Sequence, residues 1–251
     1  ISILEVILLI LILGLCGFIV YDKGFSNNNT VSNNSIISSK NNIESLEVDD
    51  ALVISLLKKI NRRMDCGTEF SYLRDEKVTA KSFSSEEIYN MALANLFDEL
   101  GYSAFTDQTL EDEISDIIGH NYDFLHNTYT TCPPWQYNSI EKSYNVLNLE
   151  ENPCGCTTGP HHTITKIMRA EKENRKINIY QRVIFVDPLT GYGYNDLAKK
   201  KQITDLVYEN NMGVNIINEN LASNIMKGTL YKIVFEESNN RYIFSYSEPI
   251  S

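Results

Sequence analysis

The chain has 251 residues, of which 43% are hydrophobic and 22% are charged, with 6 proline and 12 glycine residues. This composition excludes a collagen-like chain, a wholly disordered chain and a small domain held together mainly by disulfides. At roughly 100 to 200 residues per domain, the length predicts one folded domain with appended segments.

The net charge of −11 is unevenly distributed along the chain. Residues 44–123 contain 18 acidic and 7 basic side chains, whereas residues 126–251 contain 13 of each sign. Nucleic-acid binding depends on clustered Lys and Arg side chains that neutralise phosphates, and an acidic surface repels phosphates instead. We therefore expect no nucleic-acid partner, and we expect the acidic excess to form solvated helical surface rather than a calcium site.

The first 21 residues are apolar apart from Ser2 and Glu5. As a helix they would reach roughly the 30 Å of a bilayer core. Because no Ala-x-Ala-like cleavage site follows, the pattern predicts a retained single-pass transmembrane helix rather than a signal peptide. Residues 13–16 partly match a bacterial lipobox, so lipidation at Cys16 is an alternative.

A polar tract follows the apolar segment. Residues 22–45 are rich in Asn and Ser, and sequence of this kind buries too little apolar surface to fold, so it predicts a disordered tether. Only Lys23 and Lys40 are basic here. Such scarcity beside a membrane span is typical of a non-cytoplasmic flank. The folded domain, residues 46–251, is therefore expected outside the cytoplasm.

Three helices are predicted in the first part of this domain. Apolar residues spaced three, four and seven apart predict a helix over residues 46–64. A capping box begins a second helix at Ser84, and this helix ends at Gly101. A shorter third helix is predicted from Thr109 to Gly119.

Strands are predicted beyond residue 119. The clearest are a closing hairpin of residues 229–235 and 241–246, and a pair formed by residues 163–170 and 177–186. Residues 122–131 and 143–149 are two further predicted strands. In the closing hairpin, alternation predicts that Tyr231, Ile233 and Phe235 share one face.

Helices followed by antiparallel strands predict an α+β domain in which helices cover one face of a curved sheet. From Thr109 to Glu248 this order resembles the cystatin-like or NTF2-like architecture. The resemblance depends on Ile118-Gly119 before a Tyr-rich segment, the Cys154-Gly155-Cys156 loop and the closing hairpin. The 27 Asn and 28 Ile residues indicate AT-rich coding sequence. The whole plan thus resembles anchored extracytoplasmic proteins of low-GC Gram-positive bacteria with no assigned activity.

Residues 154–162 contain the densest group of chemically reactive side chains. Cys154, Cys156, His161 and His162 supply the sulfur and nitrogen ligands that zinc prefers. However, one residue separates the two cysteines, whereas a zinc knuckle usually has two between them. A structural loop without a cofactor is therefore favoured, and a metal- or thiol-dependent hydrolase centred on this loop is the alternative.

Four cysteines lie outside the predicted anchor, namely Cys66, Cys132, Cys154 and Cys156. An even number in an oxidising compartment permits disulfides. A direct bond between Cys154 and Cys156 would strain so short a loop, so we expect Cys66 or Cys132 to be joined to one of them.

No segment carries a specific catalytic signature, and no catalytic residue is predicted. A Cys-His hydrolase would need one of the cysteines beside His120, His126, His161 or His162. Tyr192 and Tyr194 are candidate binding residues, because exposed aromatic side chains give large contact areas at small entropic cost. The sequence thus favours a membrane-anchored, non-enzymatic module that binds a protein, a peptide or a cell-wall component through the concave face of its sheet.

Overall fold

A computed structural model describes residues 43–62, 70–120, 122–148, 150–151, 163–187, 192–206, 208–211, 214–217 and 224–250. The predicted membrane anchor, most of the predicted tether and the loop of residues 154–162 lie outside these ranges. Within them, no helix is both long enough and apolar enough to span a bilayer.

Three α-helices form within the described residues: α1 spans Ala51–Asn61, α2 spans Ser85–Leu100 and α3 spans Asp107–Ile118. The predicted number and order of the helices are confirmed. Helix α1 is shorter than predicted because Asp50 caps it, accepting a hydrogen bond from the Leu52 backbone N–H at 2.8 Å. Strand β1 begins at Ile43, so the polar tract ends earlier than the predicted tether boundary at residue 45.

Helix α2 begins with the predicted capping box. The Ser84 hydroxyl accepts a hydrogen bond from the Glu87 backbone N–H, and the Glu87 carboxylate accepts one from the Ser84 backbone N–H. Burial alone would raise the pKa of Glu87, but the Ser84 N–H and the Arg74 guanidinium outweigh burial and lower it. The backbone N–H groups of Ser84 and Glu87, which have no partner within the helix, therefore both have a hydrogen-bond acceptor.

Replacing Ser84 with alanine should lower the free energy of unfolding by about 1 kcal/mol, because it leaves the Glu87 N–H without its cap. Chemical denaturation of the variant measures this loss. Ser55→Ala is the matched control, since Ser55 lies exposed within α1 and its replacement should change stability by less than about 0.5 kcal/mol. Equal effects of the two substitutions would contradict a role for the cap.

In the part of the chain that the structure describes, thirteen strands form three antiparallel sheets. The largest has the order β1-β6-β7-β12-β13-β2, with β8 joined to β7 and β9 joined to β8. A second sheet has the order β3-β5-β4, and β10 pairs with β11. The strands are β1 Ile43–Leu46, β2 Val78–Thr79, β3 Phe105–Thr106, β4 Trp135–Asn138, β5 Ser143–Val146, β6 Thr163–Glu173, β7 Lys176–Val186, β8 Tyr192–Tyr194, β9 Gln202–Leu206, β10 Tyr208–Asn211, β11 Val214–Ile217, β12 Thr229–Ser238 and β13 Arg241–Pro249.

Both predicted strand pairs are present, as β6 with β7 and β12 with β13. The strand predicted at residues 122–131 is wrong, since these residues have no regular secondary structure. Side chains take the place of a neighbouring strand along this segment: the Leu125 N–H donates to the Ser85 hydroxyl, and the Thr128 hydroxyl accepts from the Tyr137 N–H. The aromatic residues of this segment contact other rings, and its backbone forms no strand hydrogen bonds.

One face of the large sheet packs against the helices. Alternate residues of β7 and β12 point to this side, and they are fully or almost fully buried in one core with residues of all three helices: Ile177, Ile179, Val183, Phe185, Tyr231, Ile233 and Phe235. The predicted register of the closing hairpin is therefore confirmed. Because side chains fill this face, it offers no ligand surface. The opposite face is also buried along its centre, at Asn178, Ile184 and Val234, so a ligand would have to use a sheet edge.

The domain is thus an α+β fold with three helices and a large antiparallel sheet. The sheet has two different edges. At one edge, β1 pairs with residues 170–173 of β6. At the other edge, β2 pairs with β13 through only two residues. This second edge bounds a groove.

Candidate functional site

A groove of about 560 Å³ lies where β13 leaves the edge of the large sheet. Volumes between roughly 300 and 1,000 Å³ are typical of ligand sites. The short 3₁₀ turn of residues 80–82, the end of α3 and the turns next to β7 and β12 surround it. The lining residues are Thr79, Ala80, Lys81, Ile118, Arg175, Glu236, Glu237, Ser238, Ile243, Phe244 and Ser245.

The backbone of β13 forms one side of this groove. Strand β2 pairs only with Tyr246 and Ser247, so residues 241–245 are paired with β12 alone among the described strands. An edge strand presents a row of N–H and C=O groups that another extended chain can pair with. Five residues of strand span about 17 Å.

The groove combines an apolar floor with a polar rim. Phe244 and Ile118 are almost fully buried, whereas Lys81 and Glu236 are exposed. Glu236 and Glu237 are already paired with Lys176 at 3.7 Å and Arg175 at 3.6 Å. Lys81 has no ion pair within the part of the chain that the structure describes, so it is the charge available to a ligand.

Gly119 follows Ile118, one of the residues that line the groove. It ends α3 with φ of 79°, a conformation that favours glycine. A Cβ atom at this position would lie 2.7 Å from the Cδ1 atom of Ile243. This close approach of Gly119 to Ile243 places Ile118 beside β13, where both Ile118 and Ile243 line the groove.

A second cluster surrounds His126, at the junction of α3 with the small sheet. The His126 Nε2 atom lies 2.9 Å from a Glu111 carboxylate oxygen, and Nδ1 lies 3.0 Å from the Tyr144 hydroxyl. Asp107 accepts a hydrogen bond from the Tyr137 hydroxyl at 3.0 Å. Its other carboxylate oxygen is 3.6 Å from the His126 Nδ1 atom and has no hydrogen-bond partner.

The direction of these hydrogen bonds follows from Tyr144. Burial, together with Tyr89 and Asp107, raises the pKa of Tyr144, so its hydroxyl keeps its proton. In a neutral imidazole, Nε2–H donates to Glu111, and Nδ1 accepts from Tyr144. Because Tyr144 is fully buried, this carboxylate–imidazole–hydroxyl chain joins elements of the fold and does not present a nucleophile at the surface.

Four acidic side chains, Asp98, Glu99, Glu113 and Asp116, line a groove between α1, α2 and α3. Lys58 and Arg62 both pair with Asp98, and Lys59 pairs with Asp116. Burial, followed by the charges of Asp116 and Glu99, raises the pKa of Glu113. Basic residues on α1 thus neutralise two of these carboxylates.

The structure places Tyr192 and Tyr194 on β8, at the end of the sheet where β8 pairs with β7. They occupy alternate positions of that strand; Tyr192 is 36% exposed and Tyr194 is half-buried. Neither lines the groove beside β13, which lies at the other edge. Their predicted role in binding stays a prediction.

Cys132 is disulfide-bonded in the structure, so its sulfur is not a free thiol for catalysis. The other cysteines, including Cys66, lie outside the described residues, as do His161 and His162. The connectivity and the alternative metal site therefore stay predictions. Within the described ranges, no three His, Cys, Asp or Glu side chains converge as metal ligands.

Sequence reasoning did not identify the groove beside β13. Its residues come from five separate stretches between residues 79 and 245. The only local signals were Ile118-Gly119 at a helix end and the closing hairpin, and neither indicates that β2 is too short to cover β13.

The fold and the groove together define a class of protein: an α+β domain with an uncovered sheet edge beside a partly apolar groove. Comparison of the chain with models of protein families, with curated proteins and with solved structures finds no match.

Proposed function

We propose that this protein is a membrane-anchored, extracytoplasmic binding module, without catalytic activity of its own, that captures an extended peptide segment in the groove beside β13. The observation that carries the proposal is the outer edge of residues 241–245. Among the described residues, no strand pairs with this edge on the side away from β12, and the edge borders a groove of about 560 Å³.

Strand addition is the binding mode that this geometry supports. An extended peptide would continue the sheet beyond β13, in line with the two residues of β2. Its backbone would bond to the free edge, while alternate side chains would reach Phe244 and Ile243 on the floor. Lys81 at the rim favours an acidic side chain in the peptide, because Lys81 lacks an ion pair within the described ranges.

Peptides selected from a random decapeptide library against the full-length chain should bind this groove. Amide exchange of residues 241–245 should slow on binding, since peptide carbonyls would accept from N–H groups that now face the groove. Hydrogen exchange with mass spectrometry measures the effect. Ser245→Trp, which fills the groove, should weaken binding at least about tenfold, a difference of roughly 1.4 kcal/mol.

Two further variants separate lost binding from a damaged fold. Lys81→Glu reverses the charge at the rim and should weaken binding of acidic peptides by about threefold or more. Lys227→Glu is the matched control, because Lys227 is exposed and does not line the groove. Peptides that bind wild type and Ser245→Trp equally would contradict the proposal.

The anchor and the location belong to the same proposal. An apolar segment of 21 residues followed by an Asn- and Ser-rich tract supports a single membrane pass with the domain outside. The three helices and the large antiparallel sheet support the cystatin-like or NTF2-like resemblance as a proposal for the architecture. The alternative hydrolase centred on residues 154–162 has no observation in its favour within the described residues.

A further inference from the structure

A bulge in β13 marks where the uncovered part of its edge begins. In the pairing of β12 with β13, the register shifts between Val234 and Phe235, and Ser245 is left as an extra residue of β13. A bulge bends its strand and interrupts regular pairing. It therefore separates the part of the edge that β2 covers from residues 241–244, whose outer side we call the free edge. Four residues of strand span about 13 Å.

The residues after β2 block one end of the free edge. Strand β2 ends at Thr79, and the chain continues directly into the 3₁₀ turn of residues 80–82. The buried ring of Phe83, which follows this turn, packs against the ring of Phe244 with centroids 5.5 Å apart, so the turn is fixed to the sheet. A strand beside residues 241–244, in line with β2, would meet the turn end-on.

The other end of the free edge is open. Strand β13 begins at Arg241, directly after the Asn239-Asn240 turn of the hairpin, and the Arg241 side chain is 65% exposed. Among the described residues, no strand continues the sheet past this turn. A bound peptide of any length can therefore leave the groove at this end. At the end next to β2, by contrast, the free edge has room for a chain terminus.

The charges around the groove distinguish between the two possible termini. Lys81 belongs to the turn at the blocked end; it is exposed, it lines the groove, and it forms no ion pair within the described ranges. The carboxylates of Glu236 and Glu237 lie towards the open end, and each has a basic partner. A terminal carboxylate at the blocked end would be attracted by Lys81, whereas a terminal ammonium group would be repelled.

We propose that the groove beside β13 recognises the free C-terminus of its peptide partner. This inference rests on the peptide binding of the proposed function and names the class of peptide that binds. The C-terminal carboxylate lies beside Lys81, and about four preceding residues extend along the free edge, parallel to β13. The apolar floor at Ile243 and Phe244 favours apolar side chains among these residues. The rest of the partner leaves the groove at the open end.

Extended peptides test the blocked end. Two random decapeptide libraries are selected against the full-length chain, one attached to its carrier through the N-terminus and the other through the C-terminus. The first library, whose C-termini are free, should yield the peptides that bind wild type and not Ser245→Trp. Three further residues at the C-terminus of such a peptide should weaken binding at least about tenfold, because the turn of residues 80–82 blocks their path. Three further residues at its N-terminus should change the affinity by less than about twofold.

The contribution of the terminal charge is measured separately. Replacing the terminal carboxylate with an amide keeps its shape and removes its charge, and it should weaken binding by about three- to fivefold, an effect that high salt reduces. Lys81→Gln should bind the acid and the amide equally, whereas Lys81→Arg should still prefer the acid. Lys227→Gln is the matched control and should prefer the acid as wild type does, since Lys227 is exposed and does not line the groove.

Equal affinity for peptides with and without the C-terminal extension would overturn this inference. A larger effect of the N-terminal extension would also overturn it, because the peptide would then run in the opposite direction. In both cases, weaker binding to Ser245→Trp would still support the proposed function. If Ser245→Trp binds every selected peptide as tightly as wild type does, the proposed function itself fails, and this inference fails with it.

Discussion

Phe235→Ala should lower the free energy of unfolding by about 3 to 5 kcal/mol. Phe235 is fully buried on the helix-facing side of β12, and its ring lies 6.1 Å from that of Phe244, edge to face. Strands β7 and β13 hold Phe235 from both sides. Because the surrounding sheet cannot collapse freely, the substitution leaves a cavity as well as losing apolar burial.

Denaturant unfolding of the full-length chain measures this loss. Ile250→Ala is a suitable control, since Ile250 is 43% exposed at the end of the chain and should cost less than about 0.5 kcal/mol. A loss below about 1 kcal/mol for Phe235→Ala would mean that β12 does not face the core in the register described.

His126→Ala should lower the free energy of unfolding by about 2 to 4 kcal/mol. The imidazole joins Glu111 of α3 to Tyr144 of β5, and it stacks on Tyr137 with ring centroids 5.5 Å apart. Its removal leaves the buried Tyr144 hydroxyl without a partner, which is costly because water does not reach it. The ring contact with Tyr137 is lost as well.

His120 provides a matched control for this substitution. It is exposed, and its ring contacts the Ser115 hydroxyl near the end of α3. His120→Ala should change stability by less than about 0.5 kcal/mol. If thermal or chemical unfolding shows equal effects for the two histidines, the cluster around His126 does not join α3 to the small sheet.

Elements with a strong local pattern were predictable from the sequence. Helix α2 combines a capping box at Ser84 with a glycine at its end, and the closing hairpin combines alternation with the Asn239-Asn240 turn. These signals are local because capping and strand alternation depend on neighbouring residues only. Residues 122–131 have the composition of a strand, but side-chain partners such as Ser85 hold them in an irregular path. Composition carries no information about such partners.

The sites depended on contacts between distant parts of the chain. The groove beside β13 exists because β2 pairs with only Tyr246 and Ser247, and a two-residue strand has almost no sequence signal. The His126 cluster brings together residues 107, 111, 126, 137 and 144, whose spacing matches no motif.

The sequence alone determined the class of fold, the three helices and their order, the two long hairpins, and the face of the closing hairpin that enters the core. The sequence also determined the uneven charge distribution: the region of the helices is acidic, whereas the second half of the chain has equal numbers of acidic and basic residues. Tertiary structure decided which sheet edge remains uncovered and which histidine joins α3 to the small sheet. The reason is physical: hydrophobic period and capping act over a few residues, whereas coverage of the β13 edge is set by packing between β2 and β13, which lie more than 100 residues apart.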